Sequence, residues 1–467
     1  MEAGATLERR LANFRAGLAA HARPDEPGRR PGGHVSAQLA ERLAAATDGE
    51  VVTTRHGTYV RREPAAVDLP IDRVRLARLP GQPPADAPLL CLDTETTGLA
   101  TAAGTLAFLV GLGWWEGTTF RQRQLLLPDH PDEPALLDEL AGHVGRRGWL
   151  VTYNGRSFDW PLIVARFRLA RQGPPELSGH LDLLPLVRRV FRHRMTNARL
   201  QTVEASVLGR PRHEDVGGWE IPTRYLDFVR GGSAAPLVEV VQHNEEDVLS
   251  LARLLVHVER GYADRPARRT APGGDLAGLA RAYARAGRLD VALECLDDAL
   301  KASDAGTTPS PAPSVASADT HVDTWWSPRR RPDFGGRGPR SLGGPSRRLE
   351  ELADPWTVER IGRERAHVLR RLQRYEESAA AFADLGAAGG VPGILAWIEV
   401  AKLREHRLRD PVGAFAAVRA AWPQAERRRA LGMAVPRLEA DLLRRGRRLR
   451  ARLAVVTGRD PPSGVRR

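Results

Sequence analysis

The feature that most narrows the possible folds is the run Leu89-Leu90-Cys91-Leu92, followed at once by Asp93-Thr94-Glu95-Thr96-Thr97-Gly98-Leu99. A short, continuous apolar run of this kind reads as a strand buried on both faces. The two acids stand at i and i+2 at its end, so strand alternation points them to one face. Side by side they repel each other, and desolvation adds to the cost of their charge. A divalent cation between them removes both penalties. The plain alternative is a strand end whose acids turn to solvent. The apolar lead-in and the small Thr-Thr-Gly exit weigh against it.

The flanking sequence predicts the rest of an α/β domain over residues 86–260. Leu106 to Trp115 and Thr119 to Leu127 read as two strands, with Glu116 and Gly117 as a tight turn. Pro134 to Val144 has helical spacing, and Trp149 to Tyr153 is another apolar strand. Helices are expected from about Asp159 to Arg171, Leu183 to Arg194 and Leu237 to Arg260. A strand hairpin followed by strand–helix alternation predicts a mixed sheet covered by helices.

Two more segments carry acids at the ends of elements. Val151-Thr152-Tyr153-Asn154-Gly155-Arg156-Ser157-Phe158-Asp159 follows a strand and opens a helix. Asp159 is there either a metal ligand or an ordinary helix cap. His243-Asn244-Glu245-Glu246-Asp247 begins an apolar-periodic helix. His243 and Asp247 are i and i+4 and share a helix face, so a metal on Asp247 brings His243 near it. That suits a group taking a proton from metal-bound water. Asp182, after a further strand, reads as the cap of the helix beginning at Leu183.

Composition narrows the function classes. The 467 residues carry a formal net charge of +13, and Lys301 and Lys402 are the only lysines, so the cationic surface is arginine. Arginine forks match phosphate oxygens, and a strongly basic chain suits a polyanionic partner. An Ala- and Arg-rich coding bias accounts for the same numbers, so charge alone decides nothing. Two distant cysteines, Cys91 and Cys295, argue against a disulfide framework and a cysteine zinc site, and fit a reducing cytoplasm. No run is long and apolar enough to span a membrane. The N-terminal segment has early acids and no apolar core, unlike a secretory signal.

The remainder divides around this domain. Residues 1–85 read as an N-terminal extension, partly disordered, with a short amphipathic helix at Leu7 to Ala19 and a hairpin-like piece at Val51 to Arg61. Residues 303–347, rich in Ser, Pro, Gly and Arg, read as a disordered linker or insert. Residues 273–302 and 348–455 are helical and weakly repetitive. Ala280, Tyr283, Gly287, Ala292, Leu296 and Ala299 form one unit. Ala366, Leu369, Tyr375, Ser378, Phe382 and Leu385 form a second. A third runs through Trp397, Ala401, Ala414, Val418 and Ala421. The pattern resembles tetratricopeptide helix pairs, and a plain helical bundle is the alternative.

Taken in order, these acids resemble the motifs of the DEDD 3′–5′ exonucleases. The stretch from Asp93 to Leu99 is similar to their first motif, and Tyr153-Asn154 through Phe158-Asp159 to the second as found in B-family DNA polymerases. The domain further resembles the YprB-type RNase H-like family, which pairs such a domain with tetratricopeptide-like helices. His180-Leu181-Asp182-Leu183-Leu184, Leu200-Gln201-Thr202-Val203-Glu204, Glu214-Asp215-Val216-Gly217-Gly218 and Ile221-Pro222 follow that family's order.

The resemblance implies an RNase H-like mixed sheet and a hydrolase using two Mg²⁺ or Mn²⁺ ions. It implies metal ligation by Asp93, Glu95, Asp159 and Asp247, with His243 as proton acceptor. It implies substrate contacts at Thr96, Asn154 and Phe158, and candidate contacts at Glu214 and Asp215. The substrate would be single-stranded DNA or RNA, cut from the 3′ end to 5′ mononucleotides. A protein partner for the C-terminal helices is a further expectation. His243 departs from the pattern. It lies four residues before the last Asp, the spacing of the Tyr-type branch, which leaves the general base open. An RNase H-like endonuclease and an inactive nucleic-acid- or protein-binding scaffold are the alternatives.

Overall fold

A computed structural model of the chain describes residues 32–98, 104–212, 216–304 and 358–456. Helix α1 (Gly32–Thr47) precedes the hairpin β1 (Glu50–Thr54) and β2 (Gly57–Arg62) and the short β3 (Val67–Asp68). Then come β4 (Leu89–Thr96), β5 (Ala107–Glu116), β6 (Thr119–Leu126), α2 (Glu133–Arg147), β7 (Trp149–Thr152), α3 (Asp159–Leu169), β8 (Gly179–Asp182) and α4 (Leu183–Val190). Helices α5 (Ile221–Val229) and α6 (Pro236–Tyr262) complete the α/β part. Outside the described residues fall Leu7 to Ala19, Leu99, Glu214 with Asp215, the insert from 305 on, and the first part, 348–357, of the helical range 348–455.

Among the described residues one sheet has the order β1-β2-β6-β5-β4-β7-β8, with β3 also paired to β6. Strands β1, β2, β6, β5 and β4 pair antiparallel, whereas β4-β7 and β7-β8 are parallel. This is the mixed sheet that the hairpin-then-alternation pattern predicts. Strands β1 to β3 precede residue 86, so the sheet extends beyond the range 86–260 taken from the sequence. The Glu116-Gly117 turn is tight, with Gly117 at φ 64°.

Strand β4 is central, and its alternate residues serve two cores. Leu90 and Leu92 share a cluster with Leu136 and Leu140 of α2 and Ile163 and Phe167 of α3. Leu89 and Cys91 share another with Val187 of α4 and Val248, Leu251 and Leu255 of α6. Burial on both sides explains why the run is continuously apolar. Cys91 and Cys295 are both buried and unbridged.

Helix α6 lies close over β5 because Gly111 and Gly113 leave no side chain between them. A Cβ on Gly111 would stand 2.7 Å from Val248 Cγ2 and closer still to the Asn244 amide. Gly111→Ala is therefore expected to lower unfolding free energy by about 1–3 kcal/mol, through overpacking. Urea unfolding measures this, and an unchanged midpoint would show that α6 can lift from the sheet at little cost.

Beyond α6 the described chain is helical. The helices are α7 (Gly273–Arg285), α8 (Leu289–Asp304), α9 (Val358–Arg371), α10 (Tyr375–Ala387), α11 (Gly390–His406), α12 (Pro411–Ala430) and α13 (Pro436–Val456). The turns within the pairs α7–α8, α9–α10 and α11–α12 each hold one left-handed residue, Gly287, Gln373 and Arg409 respectively. The small repeat positions Ala280, Ala292, Ala299, Ala366, Ala401, Ala414 and Ala421 are all buried, where helices approach closely. No helix among the described residues is long and apolar enough to cross a membrane.

Candidate active site

The end of β4 carries the sequence-predicted acids to a point where four elements meet. Asp93 and Glu95 lie on the face covered by α6, as the i, i+2 spacing requires. Asp93 is paired in register with Gly111. The missing side chain there lets Asn244 of α6 reach across, and its Nδ2 donates to Asp93 Oδ2 at 2.9 Å. Asn244 is fully buried and is oriented in turn by Gln124 of β6, whose Nε2 donates to Asn244 Oδ1 at 2.9 Å. Arg62 of β2 donates to Gln124 Oε1 at 2.8 Å and to Glu245 at 2.6 Å. A line of hydrogen bonds thus runs from the hairpin β1-β2 to the Asp93 carboxylate.

Asp159 is the first residue of α3, with Phe158 in the cap position, so it does not serve as the helix cap. Its Oδ1 accepts from Thr94 Oγ1 at 2.5 Å, which ties the start of α3 to β4. Asp182 does cap α4, accepting from Leu184 N at 3.0 Å. It also accepts from Asn154 N at 2.8 Å, and so holds the loop after β7. Asn154 stands in the left-handed region at φ 65°, which asparagine tolerates better than most residues. Tyr153 is likewise engaged, donating its hydroxyl to Ala198 O at 2.7 Å. Phe158 is 41% exposed beside Asp159, an open aromatic face next to the acids. Thr96 donates to Gly98 O at 2.7 Å and closes the turn out of β4.

On α6, His243 and Asp247 share a face as their spacing demands. His243 Nε2 is 3.6 Å from Asp247 Oδ2 and 3.7 Å from Glu95 Oε1. Arg212 enters from the segment before residue 213. Its guanidinium binds Asp247 Oδ1, Glu204 Oε1 at 2.5 Å and His243 Nδ1 at 3.2 Å. Since a guanidinium only donates, Nδ1 must accept, and the neutral ring carries its hydrogen on Nε2. Glu204 is 2% exposed, so Arg212 is its neutralising charge.

The carboxylates feel one another. Burial raises Asp93 well above the ordinary carboxylate range, and Asp247, Asp159 and Glu95 raise it further against the Asn244 bond. Burial also pushes Asp159 up to about 6, opposed by the Thr94 hydrogen bond. Asp247 is raised by burial, with His243 and Arg212 pulling the other way. Among the described residues no three such groups close on one point as they stand. Arg212 holds one oxygen of Asp247 and Asn244 one oxygen of Asp93. The donor set nevertheless suits a hard divalent cation: four carboxylates, three of which oppose the charge on the fourth, Asp93.

Asn244, Gln124, Gly111, Thr94 and Arg212 belong to this constellation and were not singled out from the sequence. Two glycines at alternate positions of a strand signal close approach by another element, and that signal pointed at α6. Arg212 had none, being one arginine among many.

Residues 90–259 match a family model described as the RNase H superfamily. The span holds all four acids and His243. Over 174 residues the chain is 40% identical to a Bacillus subtilis (strain 168) protein with the name "Uncharacterized protein YprB". That match covers 37% of this chain and 42% of the relative, so the chain spans less than half of that relative's length. Among solved structures, the family B DNA polymerase from the hyperthermophilic archaeon Pyrobaculum calidifontis shares 18% identity, with a TM-score of 0.30, over 44% of this chain and 30% of that one. A likeness that weak carries no argument about this chain.

Proposed function

We propose that the RNase H-superfamily domain at residues 90–259 is a metal-dependent nuclease of the DEDD type, acting on single-stranded nucleic acid from its 3′ end and releasing 5′ mononucleotides. What supports this reading is that β4, α3 and α6 bring Asp93, Glu95, Asp159 and Asp247 into one region, near enough for the other three to raise Asp93. Those four would hold two Mg²⁺ or Mn²⁺ ions, which when bound lower the pKa of water and stabilise charge on phosphate oxygens. Asn244 fixes the Asp93 carboxylate, and Thr94 fixes Asp159. Water attacks phosphorus, the bond to the 3′ oxygen breaks, and His243 takes the water's proton. In that role His243 must first give up the Arg212 contact, which frees Nδ1 to accept the proton or to carry the ring hydrogen in place of Nε2. Phe158 offers a face on which the terminal base stacks. Thr96 and Asn154 shape the two loops that border the strand. The C-terminal helix pairs we read as tetratricopeptide-like units, at 273–302 and 348–455, that bind a protein partner.

The test is incubation of the full chain with 3′- and 5′-labelled single-stranded DNA and RNA, in Mn²⁺, Mg²⁺ or EDTA. Metal-dependent shortening from the 3′ end is expected, and the same gels show which sugar is preferred. Internal cuts would replace the exonuclease by an endonuclease. Binding with no cleavage in any metal would end the nuclease reading.

Metal uptake should depend on pH with a definite sign. Asp159 in the folded chain holds its proton up to about 6, against an unfolded value near 3.8. Its protonation therefore contributes stability that is full below about 3.8 and is lost as pH rises through about 6. A bound cation must displace that proton, so affinity should rise with pH through about 6, and go on rising as Asp93, also held above the ordinary carboxylate range, gives up its own proton. Calorimetric titration of the protein with Mn²⁺ across that window checks it. A flat profile would mean that Asp159 stays out of the metal site.

A further inference from the structure

A cavity of about 620 Å³ opens between the C-terminal half of α6, the segment at 208–210, the turn at Arg194 and the connection at 266–272. Its lining includes Arg194, Arg210, Arg253 and Arg260, together with His257, and among the described residues no carboxylate. Two of the arginines are partly engaged. Arg194 pairs with Asp275 at 3.0 Å, and Arg260 donates to Pro70 O at 3.0 Å. Arg210 and Arg253 have no hydrogen-bond or ion-pair partner for their guanidinium groups among the described residues. His257 Nε2 is buried without a partner. Burial lowers the Arg253 pKa, and Arg210 lowers it further, while Glu204 and Glu246 pull the other way without pairing with its guanidinium. An anion placed there relieves both arginines.

The cavity lies toward the Arg212 cluster, since Arg253 feels the charge of Glu204, which Arg212 binds. Arg210 stands two residues before Arg212, which reaches Asp247. On α6, Arg253, His257 and Arg260 follow at spacings of four and three and so share a face. From Arg253 to Arg260 the helix advances about 10 Å, a row long enough for more than one backbone phosphate. Forked donors without base-reading partners suit phosphates and not a particular sequence.

We propose that this cleft is the path of the nucleic-acid strand upstream of the scissile bond, with Arg210 and Arg253 holding its phosphates. The proposal rests on the nuclease reading for its direction, and on the empty arginines for the site itself. It implies that affinity grows with strand length until the cleft is filled.

The experiment is fluorescence anisotropy with a short and a long oligothymidylate in EDTA, using the full chain and the double variant Arg210→Ala with Arg253→Ala. For the long strand, affinity at physiological salt is expected to fall about tenfold. The slope of log affinity against log salt should fall by about 1.4, roughly 0.7 for each lost phosphate contact. The short strand should lose far less. The double lysine variant should keep most of the salt slope, because it keeps the charge. Unchanged long-strand affinity, or equal losses for both lengths, would overturn the proposal. So would a stabilisation by inorganic phosphate that the alanine variant lacks while its long-strand binding is normal, since that marks a free-anion site. Because binding is read without metal, it stands apart from catalysis. A wild-type chain that shows the length-dependent contact yet never cleaves would sink the nuclease reading and leave the cleft assignment intact.

Discussion

Asp93→Asn is expected to abolish metal-dependent cleavage while leaving the fold intact and, in EDTA, more stable. The side chain keeps its shape, and an amide oxygen can still accept from Asn244 Nδ2, which now stands 2.9 Å from Asp93 Oδ2. What is lost is a charge that burial and three neighbouring carboxylates all disfavour. Removing it therefore relieves the folded state, so the urea midpoint without metal should rise. Loss of a metal ligand should cost more than the roughly 10–100-fold typical of outer-shell partners. Opposite signs for stability and activity are what a group kept for chemistry produces. If the variant cleaves normally, Asp93 is not a ligand and the proposed site fails. If it is less stable without metal, another cation already compensates Asp93.

Arg212→Gln is expected to have two large effects of opposite kind. Glu204, 2% exposed, loses its cation and becomes an uncompensated buried charge. Breaking a buried pair in this way costs about 3–5 kcal/mol, so the variant should unfold at much lower urea. Asp247 meanwhile loses the guanidinium that competes with a metal for Oδ1, and His243 Nδ1 loses its donor. Mn²⁺ affinity measured by calorimetry should therefore rise roughly tenfold, equivalent to about 1.4 kcal/mol. Arg212→Lys keeps a charge near Glu204 and should recover part of the stability. A fall in metal affinity would mean that Arg212 helps to assemble the carboxylates and does not compete with the ion.

The local signals behind these expectations were strong where one element sufficed. The run Leu89 to Leu92 specified a strand buried on both faces, and the i, i+2 spacing put Asp93 and Glu95 on one of them. The i, i+4 spacing put His243 beside Asp247. Asp182 capped its helix as turn chemistry predicts. These follow from backbone periodicity, which the sequence carries directly.

The tertiary structure decided what depends on two or more distant elements. It placed the hairpin at Glu50–Arg62 on the domain's own sheet, which no local pattern requires. It brought Asn244 onto Asp93 through the gap at Gly111, and Arg212 onto Glu204, Asp247 and His243 at once. It tied the Asn154 backbone N–H to Asp182 and brought Arg210 and Arg253 to the wall of one cavity. Sequence patterning states which face a side chain takes. Which partner waits there is fixed by packing between elements far apart in the chain, where buried polar groups must find hydrogen bonds and like charges are held together at a cost.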